Sequence, residues 1–213
     1  MYILALASLI QMLLCVFAIM APYGRYHLKT TGPGTVGELI DVLQNTPKLW
    51  QYKRTNTTND HECLYWQNGS LTPRGDNYSF TEVYRSSKGL QVNRLKGSLI
   101  MVPKDDHIHA VLSRDEGAAL QINGTSEGGV DMEFLLVHWE RPYNCGVFYT
   151  EKRKTDGYRY VQTCGLYFWD RTVNNTGFVA KCQYYYEMYC NAYRQEGHEQ
   201  TLYKENCQAL VGC

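Results

Sequence analysis

Residues 145–169 read CGVFYTEKRKTDGYRYVQTCGLYFW. Two runs rich in β-branched and aromatic residues flank Asp156-Gly157, a dipeptide suited to the left-handed backbone of a tight hairpin. The stretch is therefore read as two antiparallel strands, 145–152 and 158–169. Each carries a glycine directly after a cysteine: Gly146 after Cys145, and Gly165 after Cys164. A glycine inside a strand weakens it and packs nothing, so two on neighbouring strands need a reason.

The same texture extends upstream. Strand-like runs at 49–56, 62–68, 77–85, 98–103, 107–113, 118–123 and 130–139 are separated by turn signals. Before them, GTVGELIDVLQNTPKLW places apolar residues at 36, 39, 40 and 43, one helical face, and the helix is expected to end near Pro47. FVAKCQYYYEMYCNAYRQEG, residues 178–197, is expected to form a second helix that buries Tyr185, Tyr189 and Ala192. Sequential strands joined by short turns close most simply as an up-and-down barrel. The expected fold is thus mainly β: an eight-stranded antiparallel barrel with a short N-terminal helix and a C-terminal helix. Eight strands leave room inside for one small ligand.

The 213 residues suit one domain with a real core, and 21 basic against 21 acidic side chains argue against a nucleic-acid surface. The opening MYILALASLIQMLLCVFAIMA is uncharged and apolar. It is read as a secretory signal cut after Ala18, which leaves 19–213 as the barrel domain with no membrane attachment; a retained anchor is the alternative. Asn56, Asn68, Asn77, Asn123 and Asn174 each begin a glycosylation sequon. Cys63, Cys145, Cys164, Cys182, Cys190, Cys207 and Cys213 follow the leader, with no CxxC pair and no zinc spacing. They read as disulfides of an oxidising compartment, with one left over.

Catalytic signals are weak. His107 and His109 share a strand face near Asp105 and Asp106, as a metal site would need, but an exposed polar edge is the plainer reading. GTVGEL lacks the Lys-Ser/Thr ending of a phosphate loop, and no GxSxG occurs. Asp131 and Glu133 share a face, which is read as the solvent side. No enzyme activity, metal or cofactor is expected. Binding signals are stronger. Alternation puts Trp50 with Tyr52, Phe80 with Tyr84, Met132 with Phe134 and Leu136, Gly146 with Phe148, and Gly165 with Tyr167 and Trp169. If these faces turn inward, they line an aromatic cavity; if not, they fill a core.

The chain resembles the tick salivary lipocalins, the histamine-binding-protein family, over nearly its whole length after the leader. LWQYKRT followed by ECLYW is similar to that family's first strand and first structural cysteine. The family signature reads Cys-Asp-[Val/Ile/Leu], then Glu-Leu-[Trp/Tyr], then Cys. Cys145-Gly146-Val147, Gly165-Leu166-Tyr167 and Cys182 match it here. The resemblance implies disulfides Cys145–Cys182 and Cys63–Cys207. Two of Cys164, Cys190 and Cys213 are then expected to pair, and Cys190 with Cys213 is the pairing taken.

In amine-binding members the signature Asp and Glu point inward and hold the ligand's ammonium. Both positions are glycine here. The resemblance therefore implies a wider, more apolar cavity for a leukotriene, a thromboxane-like lipid or a fatty acid, its carboxylate met by Arg54, Arg85 or Arg159. The alternative is that the glycines mark bulges where the barrel bends. Two rival functions stand beside the lipid carrier. One is a binder of histamine or serotonin that uses Glu82, Asp131, Glu133 or an aromatic cage. The other is an inhibitor that binds a host immune or complement protein through its loops. In each case the expectation is a secreted monomer that captures its target without turnover.

Overall fold

A computed structural model describes residues 35–55, 59–102, 117–153, 159–194 and 198–209. The apolar N-terminal stretch, Asn56, the segment with Asp105, Asp106, His107 and His109, the Asp156-Gly157 turn, Cys213 and the side chain of Arg159 lie outside the described residues.

Helix α1, Val36–Gln44, precedes β1 Lys48–Thr55, β2 Glu62–Leu71, β3 Asn77–Ser86, β4 Gly89–Val102 and β5 Gly117–Asn123. A small hairpin, β6 Thr125–Ser126 and β7 Gly129–Val130, leads to β8 Met132–Glu140, β9 Cys145–Arg153 and β10 Arg159–Trp169. Helix α2, Thr176–Cys190, and the short β11, Glu199–Thr201, follow. Strands β1–β5 and β8–β10 pair antiparallel in sequence order, and β10 pairs back with β1. Eight strands therefore close a barrel, and β11 adds to β1.

Two apolar layers hold it together. Trp66, Phe80, Leu120, Phe134, Phe148 and Tyr167 face the inside. Tyr65, Leu135, Val147, Leu166 and Phe168 face outward beneath α2 and meet its Tyr186 and Tyr189. Helix α1 plugs one end. Thr35 caps it, its hydroxyl accepting from Glu38 N at 3.0 Å, and Leu39, Val42 and Leu43 are its buried face. Two of its C-terminal carbonyls, which no helical N–H can reach, are met by the barrel. Trp169 Nε1 donates to Val42 O and the Tyr78 hydroxyl to Leu43 O, both at 2.9 Å.

Two expectations need correction. Residues 89–97, taken as a connection, form the first part of β4. Their pattern misleads because Leu90 and Val92 face solvent, 60% and 56% exposed, whereas the polar Asn93 turns toward the interior. In α2 the buried stripe is Cys182, Tyr186, Tyr189 and Cys190; Tyr185 is half-buried, and Ala192 is exposed beyond the helix end.

Disulfides set that helical face. Cys63 bonds to Cys207, Cys145 to Cys182, and Cys164 to Cys190. The pairing of Cys190 with Cys213 is thereby replaced. The ladder explains why. Cys145 pairs in register with Phe168, four residues along β10 from Cys164, about 13 Å at strand rise. Cys182 and Cys190 stand eight residues apart on α2, about 12 Å at helical rise. Strand and helix thus present their cysteines at matching intervals. The Cys164–Cys190 bridge spans 26 residues and should contribute about 3 kcal/mol in the chain-entropy account. The Cys164→Ser/Cys190→Ser protein is expected to melt roughly 6–12 °C lower by calorimetry.

Candidate ligand site in the barrel mouth

The rim opposite α1 carries the end of β1 and the start of β2, the β3–β4 turn and the β6–β7 hairpin. At β1 the pairing with β10 steps from Gln51↔Tyr167 to Lys53↔Leu166, so Tyr52 is a bulge. One extra residue shifts the alternation. Gln51 and Arg54 both turn inward, and Lys53 turns out to Glu199 and the Tyr186 ring.

Arg54 is 3% exposed. Its Nη1 and Nη2 lie 2.7 and 3.0 Å from the two oxygens of Glu127, a forked pairing. Gln200 Oε1 accepts from Arg54 Nε and Nη2 at 3.1 and 3.0 Å. His61 Nδ1 lies 2.5 Å from Glu127 Oε1, and Asn59 Nδ2 donates to that oxygen at 3.2 Å. Glu127 sits in the β6–β7 turn, so this network ties the hairpin inward at the mouth. Burial alone raises the Glu127 pKa, but Arg54 and His61 outweigh it and hold the carboxyl below its ordinary value.

Glu82 lies deeper, on the inner face of β3, and is 1% exposed. Its oxygens accept from Glu127 N at 2.6 Å, Asn93 Nδ2 at 3.0 Å and Trp66 Nε1 at 3.3 Å. All three donors are neutral. Burial pushes its pKa up in spite of them, since the charged form is held away from water. Below it the Trp66 ring meets Phe134 at 4.8 Å, Phe80 at 5.0 Å and Tyr167 at 5.8 Å. The Tyr167 and Thr150 hydroxyls are buried on the inner wall and face one another there. A carboxylate with neutral donors and aromatic faces around it suits a small cation that carries a ring.

The sequence model of a family described as tick histamine binding protein matches residues 36–209. The chain belongs to the tick histamine-binding protein family. Solved structures similar to it are lipocalin-like barrels. Apocrustacyanin C2 is 13% identical over 84% of this chain and 94% of its own, with a TM-score of 0.46. The siderocalin Ex-FABP is 12% identical over 75% and 94%, at 0.49. AM182, solved in complex with serotonin, is 12% identical over 83% and 94%, at 0.47. No protein of curated function matches the chain by sequence. Small-ligand binding is what the family and the barrel have in common.

In this family member the two signature glycines do not widen the lumen. A Cβ built on Gly146 would stand 2.3 Å from His138 O and 2.5 Å from Trp139 Cε3. A bulge at Val137 turns Trp139 inward onto Gly146. On Gly165 a Cβ would stand 2.7 Å from Gln51 Nε2 and 2.8 Å from Tyr167 Cε2. Gly165 pairs with Arg54, which the Tyr52 bulge turned inward. Each glycine thus yields its space to large side chains aimed into the barrel, and each lies opposite a bulged strand. Gly146→Ala is expected to destabilise by about 2 kcal/mol, read as a lower urea midpoint, because backbone as well as side chain blocks the new methyl.

The other candidates divide. Phe80, Phe134, Phe148 and Tyr167 belong to the interior cluster. Tyr84 stands half-buried at the mouth, its ring 4.6 Å from that of His61. Trp50 and Tyr52 share a face as expected, but it is the outer one. Trp50 Nε1 donates to Asp170 Oδ1 at 2.6 Å, and the Tyr52 ring lies 5.4 Å from Phe168. Asp131 is exposed and accepts from Gly124 N at 3.1 Å. Glu133 is buried on the outer face, paired in register with Gln121 and Glu151. Arg85 pairs with Glu62. Asn68, Asn77, Asn123 and Asn174 are all exposed. Sequence reasoning missed Glu127, His61, Asn93 and Thr150. Nothing in TSEGGV shows that a turn glutamate folds inward, and only the bulges decide which polar residues follow it.

Proposed function

We propose that the chain is a secreted carrier that captures a small aromatic amine of the histamine or serotonin class, one per barrel and without turnover. Glu82 is the counter-ion of the ammonium, and Trp66, Phe80 and Phe134 surround the ring. The observation that carries this reading is a buried carboxylate in the lumen whose three donors are all neutral. A cation there offsets the desolvation of the acid, and the acid offsets that of the cation. Three disulfides and four exposed sequon asparagines support passage through an oxidising secretory compartment. Among the described residues no helix is long and apolar enough to cross a membrane.

The case for a lipid rested on an interior emptied of acids, and that premise fails. Glu82 and Glu127 stand there, and the glycine positions are filled. One observation still favours a lipid: Arg54 is a buried guanidinium on the inner wall. A fatty-acid carboxylate would have to displace Glu127 from it.

The amine reading has a pH signature. Only ionised Glu82 attracts an ammonium, and its pKa in the empty barrel is raised. Affinity is therefore full above that raised value and falls with each pH unit below it. An ordinary carboxylate would sustain affinity down to about pH 4–5; here the fall begins at higher pH. Calorimetric titration with histamine and serotonin from pH 8 downward should show that fall, with proton release near its midpoint, and Glu82→Gln should not share it. A pH profile that is the same for wild type and Glu82→Gln would remove Glu82 as the counter-ion.

A further inference from the structure

A groove of about 550 Å³ opens on the outside of the barrel, between the start of α2 and the β1–β11 edge. That volume lies in the range of about 300–1,000 Å³ typical of small-molecule sites. Its wall contains Asn174 and Thr176, the first and third residues of a glycosylation sequon. Tyr52 and Tyr203 also line it, their rings 5.8 Å apart and nearly parallel at 22°. Gln183 and Lys53 add polar ends. Asn68, Asn77 and Asn123 are exposed too, yet none of them is part of this wall.

The fold leaves room for a substituent on Asn174. The Tyr203 hydroxyl donates to Asn174 Oδ1, which directs the amide and leaves Nδ2 for a substituent. The intervening Asn175 points away, since its side chain accepts from Phe178 N as the cap of α2. Sugars present an apolar face of C–H groups rimmed by hydroxyls. Tyrosine rings beside amide and ammonium groups match both parts.

We propose that this groove is the seat of an N-linked glycan core on Asn174, so that the first sugars pack against Tyr52 and Tyr203. The attachment uses a lipid-diphosphate-linked oligosaccharide of the secretory pathway. The Asn174 nitrogen bonds to the anomeric carbon, the bond from that carbon to the diphosphate breaks, and one amide proton leaves. The transfer precedes folding, and the groove then closes around a sugar already in place. The proposal requires secretion but not the amine reading.

The test uses the full chain secreted from a eukaryotic cell line. Glycopeptide mass spectrometry reads occupancy at each sequon, and peptide-N-glycosidase release is timed on the native and the denatured protein. Asn174 should be occupied, and its glycan should leave the native protein at least tenfold more slowly than the glycan of Asn123. The two rates should converge after denaturation. Gln183→Ala, on the half-exposed rim, should accelerate native release at Asn174 and leave Asn123 unchanged. Three results would overturn the proposal: an empty Asn174 beside occupied sequons, a chain without glycans, or equal native release rates at Asn174 and Asn123.

Discussion

Glu82→Gln is expected to weaken histamine binding by about 30- to 1,000-fold, the loss of roughly 2–4 kcal/mol that follows when a buried charge pair forfeits one partner. Glutamine keeps the volume and can still accept from Trp66, so the barrel should melt at or above the wild-type temperature. The separation of the two readouts is what makes the variant informative. A glutamate that only completes the Trp66–Asn93–Glu127 network would shift the melt and leave amine affinity alone. One that serves as counter-ion shifts affinity and removes the part of its pH dependence that the wild type owes to Glu82. Because burial already raises the Glu82 pKa, removal of the carboxylate also removes a group that favours the protonated fold. The variant should accordingly lose less stability than the wild type as the pH rises from the unfolded carboxylate's pKa, near 4.3, through the raised folded value.

Arg54→Ala should be the most destabilising single change in the mouth. It strips Glu127, whose side chain is only 4% exposed, of its forked partner, and leaves the carboxylate to His61 and Asn59. Removal of one partner from a buried ion pair costs about 3–5 kcal/mol, equivalent to a fall of roughly 6–20 °C in melting temperature for a domain of this size. The pH sense follows from Glu127. Its pKa is held below the ordinary value, so the pairing stabilises the fold above the unfolded carboxylate's pKa, near 4.3, and is lost as pH drops through the lower folded value. The gap between wild type and Arg54→Ala is therefore wide at pH 7 and narrows in acid. Arg54→Met with Glu127→Leu should recover most of the stability, since a well-packed apolar pair replaces an ion pair at little cost. It also removes the latch on the β6–β7 hairpin, and should speed amine association. A single variant that melts within a degree of wild type would show that the latch holds nothing.

The barrel was legible because its strands are short, aromatic and separated by turns, and because the apolar face of α1 is regular. The same logic failed at residues 89–97, where Leu90 and Val92 point to water and Asn93 inward, an inversion of the usual pattern. The two signature glycines were visible, but their meaning was not. Whether a missing Cβ leaves a hole or makes room depends on the neighbouring strand, and bulges at Tyr52 and Val137 decide that. A bulge is one extra residue in a register, and no local composition announces it. The same bulge at Tyr52 sends Arg54 inside, whereas simple alternation would leave it on the outer face with Trp50 and Tyr52. The cysteine pairing was closer to hand. Eight residues on a helix and four on a strand span nearly equal lengths, so Cys164 and Cys190 were matched by arithmetic the sequence contains. Glu127 was out of reach: a turn glutamate reads as solvated, and only the closed barrel brings Arg54 to it.

The central claim is that the lumen holds a cation against Glu82 and does not hold a carboxylate against Arg54. Titration calorimetry of the wild-type secreted protein at pH 7.5 against histamine, serotonin, arachidonate and a leukotriene tests it most directly. The account predicts that at least one amine binds at one per chain and is not displaced by either lipid. Tight binding of a lipid with no heat from either amine would contradict it, and silence toward all four would turn attention to a protein partner.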